Sequence, residues 1–375
     1  MDARFLPALE RIDRAAWNAL VPDANPFLRH ELLAALETSG SLRRELGWTA
    51  HHATLWRDGQ LVAAAPCYLK ANSHGEFVFD HGWAEAYARS GLDYYPKLLV
   101  AVPYSPVSGP RLLAHDAADR AALVDMLRAE AVRLSLSSVH VNFAAPADLA
   151  ALDAEGHWLS RFDYQFHWPN RGYATFDDFL TALTSKRRKE IRRERAAFAA
   201  SHWSFEWRRG NELDADDLVF VYACYVRTFE DKGNYPALTR ALFESLARDL
   251  PDVVRVLVAS ERGERVAMAY CLEAGGALYG RYWGALRYVP GLHFECCYYR
   301  GIEHCIAQRL VRFEPGAQGE HKLARGFLPV ATHSRHHVRD PALAAAIARA
   351  LERETRWFEQ YHRSLEAHSP YAERG

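Results

Sequence analysis

Residues Gly280–Val330 read GRYWGALRYVPGLHFECCYYRGIEHCIAQRLVRFEPGAQGEHKLARGFLPV. The pattern predicts a strand, a long turn, a helix over His293–Leu310, a short strand and a polar loop with glycines. The titratable and amide side chains of that loop are Glu314, Gln318, Glu320, His321, Lys322 and Arg325. Loops this dense in titratable groups, held between regular elements, are where binding and catalysis concentrate. An ordinary hydrated loop is the alternative, and it leaves the flanking aromatic residues and glycines unexplained.

The composition indicates a soluble protein of two domains. The chain has 375 residues, more than the roughly 250–300 residues at which single hydrophobic cores stop growing. Hydrophobic residues make up 49% and charged residues 25%, as in globular proteins. The net charge of -1 provides no overall attraction to DNA or to a membrane, so any basic site must be local.

The cysteines and the N-terminal sequence favour a cytoplasmic location. The six cysteines include no CxxC pair, which is typical of reduced thiols in the cytosol. The N-terminus carries acidic residues and lacks the apolar region of a signal peptide. No stretch approaches the roughly 18 apolar residues that a membrane-spanning helix requires. We therefore expect no membrane insertion.

The order of predicted elements is similar in the two halves of the chain. Each half contains helices, a meander of strands, a further helix and a last strand, although no repeat is visible as residue identity. The break falls near Pro169–Gly172. The sequence thus predicts a mixed α/β fold with domains at 1–170 and 171–375, the second closed by a helix over Pro341–His362. Each domain would be a twisted mixed sheet flanked by helices, and a cleft between them is the default expectation for a ligand site.

A predicted helix over Lys186–Arg195, KRRKEIRRER, contains seven basic and two acidic residues. Arginine side chains match the geometry of phosphate groups, so this helix is a candidate site for a phosphate-bearing substrate or an RNA backbone. The alternative is a solvated helix in which Glu190 and Glu194 offset neighbouring arginines. Both interpretations remain open at the level of the sequence.

The helix over His293–Leu310 places His293, Cys297, Arg300 and His304 on one predicted face. This arrangement resembles a zinc site, but an arginine within the face opposes a bound cation, so no metal is predicted. Glu295 lies in the first turn, where the helix dipole stabilises a carboxylate. It is a candidate for catalysis, with a structural capping role as the alternative.

A proline-rich loop in the N-terminal half presents further candidate binding residues. Lys97 precedes the loop Pro103–Arg111, which contains Tyr104 and ends at Arg111. Prolines restrict the backbone, so such a loop can present side chains to a ligand with little entropy left to lose. A rigid connector packed on the sheet is the alternative.

Several common signatures are missing from the sequence. It contains no GxGxxG, GxxxxGK[ST], GxSxG or HExxH motif. Dinucleotide-binding, P-loop, serine hydrolase and zincin functions therefore have no support.

Several long stretches of the chain are distinctive: SKRRKEIRRERA from Ser185, RYWGA from Arg281, HFECCYYRGIEHCI from His293, FEPGAQGEHKLARGFLPV from Phe313, and YYPKL and VPYSPVSGPRLL from Tyr94 and Val102. Together they resemble the FemAB-like (peptidoglycan biosynthesis/recognition) branch of the GNAT acyltransferase superfamily. The resemblance covers most of the chain and implies two tandem GNAT-like domains. It implies transfer of an acyl or aminoacyl group onto an amine of a small or cell-wall-related acceptor.

The resemblance also implies roles for individual residues. No tightly bound cofactor is expected, and the donor is either aminoacyl-tRNA or acyl-CoA; the turn at Leu286–Leu292 lacks the glycines of a CoA-binding loop, which weakens the second. Expected catalytic residues are Glu295, His321 and Lys322. Expected substrate-binding residues are Lys97, Tyr104, Arg111, Lys186, Arg187, Arg188, Arg192, Tyr282, Trp283, Glu314, Gln318 and Arg325. The alternative function is a non-catalytic module that binds a peptidoglycan precursor or another anionic metabolite.

Overall fold

The fold is taken from a computed structural model that describes residues 1–199, 202–316 and 319–372, without the side chains of Ala24, Glu320, Glu366 and Ala367. The chain divides into two compact units. Unit 1 comprises Met1–Asp163 and Ala331–Gln360, and unit 2 comprises Tyr164–Val330 and Tyr361–Gly375. In both units a C-terminal segment joins residues from earlier in the chain. The boundary near residue 170 stays a prediction about the folding domains.

The predicted class, a mixed α/β fold, is confirmed. The strands are β1 (Asp2–Leu6), β2 (Trp48–Ala50), β3 (His52–Arg57), β4 (Gln60–Ala65), β5 (Cys67–Lys70), β6 (Lys97–Val100), β7 (Leu113–Ala114), β8 (Ser138–Val141), β9 (Leu159–Pro169), β10 (Trp203–Arg209), β11 (Val254–Glu261), β12 (Glu264–Ala274), β13 (Ala277–Ala285), β14 (Arg312–Glu314) and β15 (Leu328–Val338).

The helices flank these strands in both units. They are α1 (Arg14–Ala19), α2 (His30–Thr38), α3 (His81–Arg89), α4 (Ala117–Arg133), α5 (Pro146–Ala154), α6 (Phe176–Ala182), α7 (Ser185–Ala196), α8 (Ala215–Glu230), α9 (Arg240–Asp249), α10 (Leu292–Phe294), α11 (Arg300–Ala307) and α12 (Pro341–Ala367). A π-helical turn, Glu295–Tyr299, joins α10 to α11. Among the described residues, no helix has the length and apolar character needed to cross a lipid bilayer.

Unit 1 contains two sets of paired strands. In one, β3 pairs antiparallel with β1 and β4, and β4 pairs with β7. In the other, β6 runs antiparallel to β5 and parallel to β8, while β2 pairs with β5 and β15 with β8. Asp58 and Gly59, with φ of 52° and 79°, form the turn between β3 and β4. Tight hairpin turns require positive φ at both central residues, which an Asp-Gly pair readily adopts.

Alternate residues of β6 and β8 place an apolar face on one side and a polar face on the other, as the two-residue period of a strand dictates. Leu98 and Val100 belong to the apolar core packed under α4. Lys97 and His140 are fully buried polar residues from the same two strands. These polar groups are therefore enclosed by protein, where Lys97 binds Glu76 and Asp80, and His140 hydrogen-bonds with Ser138 and His336.

Unit 2 is built on a meander of long antiparallel strands. β10, β11, β12 and β13 pair in sequence order; β14 then lies parallel to β13 and antiparallel to β9. The turn between β12 and β13 consists of Gly275 and Gly276, both with positive φ. The apolar core on one face includes residues of β12, α6, the π turn and α11.

Helix α8 packs directly on the backbone of β13. A Cβ atom added at Gly284 would lie 1.9 Å from the carbonyl oxygen of Cys224 on α8. One turn later, the Thr228 hydroxyl donates a hydrogen bond of 2.7 Å to the carbonyl oxygen of Trp283. Only glycine permits this approach, and the contact fixes the strand that carries Tyr282 and Trp283.

Replacing Gly284 by Ala should destabilise the protein, because the new methyl group would overlap backbone atoms that cannot rotate away. We expect a loss of about 3 kcal/mol in the free energy of unfolding, measured by urea denaturation. Gly82→Ala is the matched control, since Gly82 lies in α3 with no atom near its added Cβ, and alanine there should stabilise by about 0.5–1 kcal/mol. Equal stability of the two variants would contradict the close packing of α8.

Candidate functional site

Strands β13 and β14 separate soon after they begin to pair. Their parallel register covers only Ala277–Tyr279 against Arg312–Glu314. A Cβ atom at Gly280 would lie 3.2 Å from Pro315, and beyond this point β13 continues to Ala285 while β14 has ended. A shift of register between β12 and β13 leaves Arg281 without a partner residue in β12. The result is an opening between two neighbouring parallel strands.

A cleft lies at this opening. Its walls come from β12, β13, the start of the following helix and the residue after β14. The lining residues are Ala269, Tyr270, Cys271, Gly280, Arg281, Tyr282, Trp283, His293, Cys297, Tyr298 and Pro315. The predicted substrate residues Tyr282 and Trp283 thus occupy one wall, and the ring of Trp283 meets that of His293 edge-on at 5.4 Å.

The π turn at Glu295–Tyr299 decides which helix residues reach the cleft. One extra residue in a helical turn rotates all that follows by about 100° relative to a continuous α-helix. His293 and Cys297 line the cleft, whereas Arg300 and His304 line a separate pocket beside Trp207. The single predicted face of these four residues is therefore wrong. Among the described residues, no group of three His, Cys, Asp or Glu side chains is arranged to hold a metal.

His321 and Lys322 border the cleft from the loop after β14. His321 Nε2 lies 2.8 Å from the hydroxyl of Tyr298, and burial, with Arg325 and Lys322 nearby, lowers the pKa of its imidazole. Lys322 is 3% exposed and donates a hydrogen bond of 2.7 Å to the carbonyl oxygen of Gly316. Burial lowers the pKa of Lys322 to about 8, although the neighbouring Cys297 raises it.

Glu295 is enclosed by two arginines. Its side chain is 1% exposed, and Arg195 donates two hydrogen bonds of 3.1 and 3.2 Å to its carboxylate. Arg300 Nε lies 2.7 Å from Oε1 of the same group. A carboxylate bound in this way joins α7 to the helix that follows β13, which favours the structural alternative considered for Glu295.

Arg325 is held just as firmly. It donates hydrogen bonds of 2.8 and 3.0 Å to Glu194, one of 3.0 Å to the Tyr299 hydroxyl and one of 2.8 Å to the carbonyl oxygen of His321. Its guanidinium also stacks on Phe294 at 3.6 Å. These contacts orient the loop that carries His321 and Lys322.

The remaining candidates of α7 lie on its outer surface. Arg187 pairs with Glu190 at 2.9 Å, and Arg192 pairs with Asp177 at 3.1 Å. Lys186 is exposed and Arg188 half-buried. Within this helix Glu194 and Arg195 pair with residues of other elements, whereas Lys186, Lys189, Arg192 and Arg193 are exposed.

Glu314 and Gln318 complete the predicted loop. Glu314 is buried, accepts a hydrogen bond of 2.8 Å from Arg312, and has its other oxygen 3.9 Å from His167 Nε2. Gln318 lies outside the described residues.

The predicted binding residues Lys97, Tyr104 and Arg111 belong to unit 1. Lys97 is fully buried, with its ammonium bound to Glu76 at 2.8 Å and to Asp80. Arg111 is 1% exposed and donates to backbone carbonyl groups, including that of Asn142 at 2.9 Å. The Tyr104 hydroxyl donates to the carbonyl oxygen of Ser41 at 3.2 Å. In these contacts the three side chains brace the loops of unit 1.

Tyr298 and Arg281 are residues of the cleft that the sequence did not single out. Tyr298 lies in an apolar run that reads as helix interior, and the π turn that turns it toward the cleft has no visible sequence signal. Arg281 precedes the predicted Tyr282 and Trp283, so its strand position placed it nearby without indicating its direction.

The family described as peptidoglycan biosynthesis/recognition, FemAB-like, matches residues 8–373. The chain belongs to the FemAB-like family. Comparison with curated protein sequences gives no match.

Solved structures show the same fold at low sequence identity. FemX is 11% identical, with a TM-score of 0.53 over 93% of this chain and 100% of its own. L-PGS from Bacillus licheniformis is 12% identical, with a TM-score of 0.51 over 86% of this chain and 96% of its own. This FemAB-like protein thus shares its mixed α/β fold with FemX and L-PGS. At such identities the likeness shows the fold alone.

The contacts of Arg325 predict that it acts mainly on stability. Arg325→Met would leave the carboxylate of Glu194 without its cation, so we expect the free energy of unfolding to fall by about 2 kcal/mol. Arg193→Met, which removes an exposed arginine from α7, should change it by less than about 0.5 kcal/mol. Urea denaturation of both variants measures the difference, and similar values would argue against the ion pair as a fixed element.

Proposed function

We propose that this FemAB-like protein transfers an acyl or aminoacyl group onto an amine in the cleft between β13 and β14, the acceptor being a small or cell-wall-related molecule. The observation that carries the proposal is the unpaired half of β13. It leaves an opening whose lining includes Tyr270, Tyr282, Trp283 and Tyr298, with the buried Lys322 in the loop beside it. Membership of the family supports a role in peptidoglycan biosynthesis or recognition.

The proposed reaction consists of three events that the protein must promote. The acceptor amine must lose a proton, its nitrogen must attack the acyl carbonyl, and the oxyanion that forms must be stabilised until the bond to the leaving group breaks. Holding both substrates in one cleft supplies part of the rate, since attack becomes effectively unimolecular. The leaving group, a tRNA hydroxyl or a CoA thiol, then takes up a proton.

Tyr298 and His321 are the groups best placed to receive the amine proton. Tyr298 lines the cleft, and its hydroxyl lies 2.8 Å from His321 Nε2. Because the pKa of His321 is lowered, its imidazole is neutral at pH 7 and can accept a proton passed through the tyrosine hydroxyl. Glu295, engaged by two arginines, is assigned a positioning role in this proposal.

Lys322 is assigned the role of stabilising the oxyanion. It is a buried cation, and a charge in a partly desolvated site stabilises developing negative charge far more than one in water. Arg325, bound to Glu194, orients the loop of Lys322. The outer cations Lys186, Arg187, Arg188 and Arg192 are proposed to meet phosphate groups of the donor.

An aminoacyl-tRNA donor fits the turn before α10 better than acyl-CoA. GNAT enzymes that use CoA bind its pyrophosphate at a glycine-rich turn before this helix. Here the turn contains Pro290 and one glycine, Gly291. A Cβ atom added at Gly291 would lie 3.4 Å from the ring of Phe198. The proposal therefore places the donor's phosphates on α7 rather than at this turn.

The role of Lys322 predicts the pH dependence of transfer. With a pKa near 8, its ammonium is present below that pH and lost above it, so kcat/KM should fall as the pH rises through about 8. Lys322→Arg retains the charge at alkaline pH and should move this decline upward. Lys322→Met should lower kcat about 100-fold or more. Transfer is measured by mass spectrometry of the acylated amine, and identical alkaline limbs for wild type and Lys322→Arg would remove Lys322 from this role.

The same assay separates the proposal from its alternative. Purified protein is given an amine acceptor with either acyl-CoA or aminoacyl-tRNA. A product with one donor supports transfer and identifies the donor class. Binding of a muropeptide without product from either donor would instead favour the non-catalytic module.

A further inference from the structure

A second, larger cavity lies in unit 2, between strand β10 and helix α11. It encloses about 410 Å³, and no described residue lines both this cavity and the cleft between β13 and β14. The cleft encloses about 70 Å³, whereas sites for small molecules usually enclose about 300–1,000 Å³. The β10–α11 cavity therefore has the volume for a ligand of its own.

Two aromatic side chains of β10 form one side of this cavity. Phe205 and Trp207 are alternate residues of the strand, so they project from the same face of the sheet. Both are half-buried, which leaves part of each ring open to a ligand. Leu257, directly opposite Trp207 on β11, adds an apolar contact. Such a surface favours a flat ring, because aromatic pairs gain free energy beyond that of the buried area.

The polar walls of the cavity are already ordered by contacts within the protein. Arg255 and His304 both bind the carboxylate of Glu273, which lies 3.2 Å from Arg255 Nε and 2.6 Å from His304 Nε2. The guanidinium of Arg300 lies over the ring of Phe205 at 4.3 Å. Since these side chains are fixed before a ligand arrives, little conformational entropy is lost on binding.

Two exposed side chains of opposite charge lie at the open end of the cavity. Arg209 is the next residue of β10 on the face of Trp207, and Glu212 follows in the short 3-10 turn Gly210–Glu212. Neither side chain forms an ion pair with the other or with any other described residue. The carboxylate of Glu212 accepts a hydrogen bond of 2.7 Å from the backbone N–H of Arg209, which holds it beside the strand. A ligand that carries both charges can therefore bind the two side chains together.

We propose that the β10–α11 cavity binds a free aromatic amino acid, with its ring on Phe205 and Trp207, its carboxylate on Arg209 and its ammonium group on Glu212. The planar guanidinium of an arginine matches a carboxylate in a bidentate hydrogen bond. A ligand with one charge satisfies only one of the two end groups, and a saturated ring loses the aromatic contact. The inference goes beyond the proposed transfer reaction and does not depend on it, because the cavity and the cleft have separate linings.

Four ligands of similar size test the three contacts separately. Relative to L-phenylalanine, phenethylamine lacks the carboxylate, 3-phenylpropionate lacks the ammonium group, and L-cyclohexylalanine lacks the flat ring. Isothermal titration calorimetry is performed on the full chain without donor or acceptor, so the result is independent of any transfer activity. We expect L-phenylalanine to bind at least about threefold more tightly than each of the other three, since exposed charge contacts and ring stacking each contribute on that order. Absence of L-phenylalanine binding, or equal affinity for all four ligands, would overturn the proposal.

Two variants of exposed residues assign the charges to their partners. Arg209→Met should weaken L-phenylalanine and 3-phenylpropionate about threefold without weakening phenethylamine, and Glu212→Gln should weaken L-phenylalanine and phenethylamine without weakening 3-phenylpropionate. Arg349→Met, which removes an exposed arginine from α12 in unit 1, is the matched control and should leave every affinity unchanged. Unchanged midpoints of thermal unfolding verify that the variants are folded. L-phenylalanine binding that is indifferent to both Arg209→Met and Glu212→Gln would show that it binds elsewhere and sink the assignment.

Discussion

Consecutive residues of α7 hold the candidate site together. Glu194 forms an ion pair with Arg325, and Arg195 forms one with Glu295. Helix α7 is therefore bound both to the loop after β14 and to the helix after β13. Both ion pairs are largely removed from water, where breaking one leaves an uncompensated charge and is strongly destabilising. The position of Lys322 relative to Tyr298 follows from these two contacts. Arg325 and Glu295, which the sequence suggested as substrate-binding and catalytic residues, thus form internal ion pairs that position Lys322 and Tyr298.

Much of the fold could be predicted because its signals are local. The turns at Asp58-Gly59 and Gly275-Gly276 combine residues that adopt positive φ with flanking alternation of apolar residues, which defines hairpins directly. The closing helix was predicted over Pro341–His362 and extends over Pro341–Ala367, because its apolar stripe is long and regular. The membership of most of β15 and most of α12 in unit 1 depends on contacts distant in sequence, and no local pattern encodes it.

The sequence predicted where the candidate site lies, but it did not predict the role of each side chain there. Tyr282, Trp283, His321 and Lys322 lie at or beside one cleft, as their clustering in the sequence suggested. Charge density, however, does not distinguish a side chain that meets a ligand from one that meets a partner within the protein. Arg325 and Glu295 match catalytic residue types, yet their geometry is that of internal ion pairs. Lys97 and Arg111 are likewise buried among groups of unit 1 that only the fold brings near.

The π turn at Glu295–Tyr299 has a consequence for comparing this protein with its relatives. A helix that contains such a turn is one residue longer than an α-helix spanning the same distance. If a relative has a continuous α-helix here, an alignment without a gap would match equivalent residues on only one side of the turn that contains Cys297 and Tyr298. Homology arguments about the cleft should therefore begin from the flanking strands β13 and β14, whose spacing is unaffected by the inserted residue.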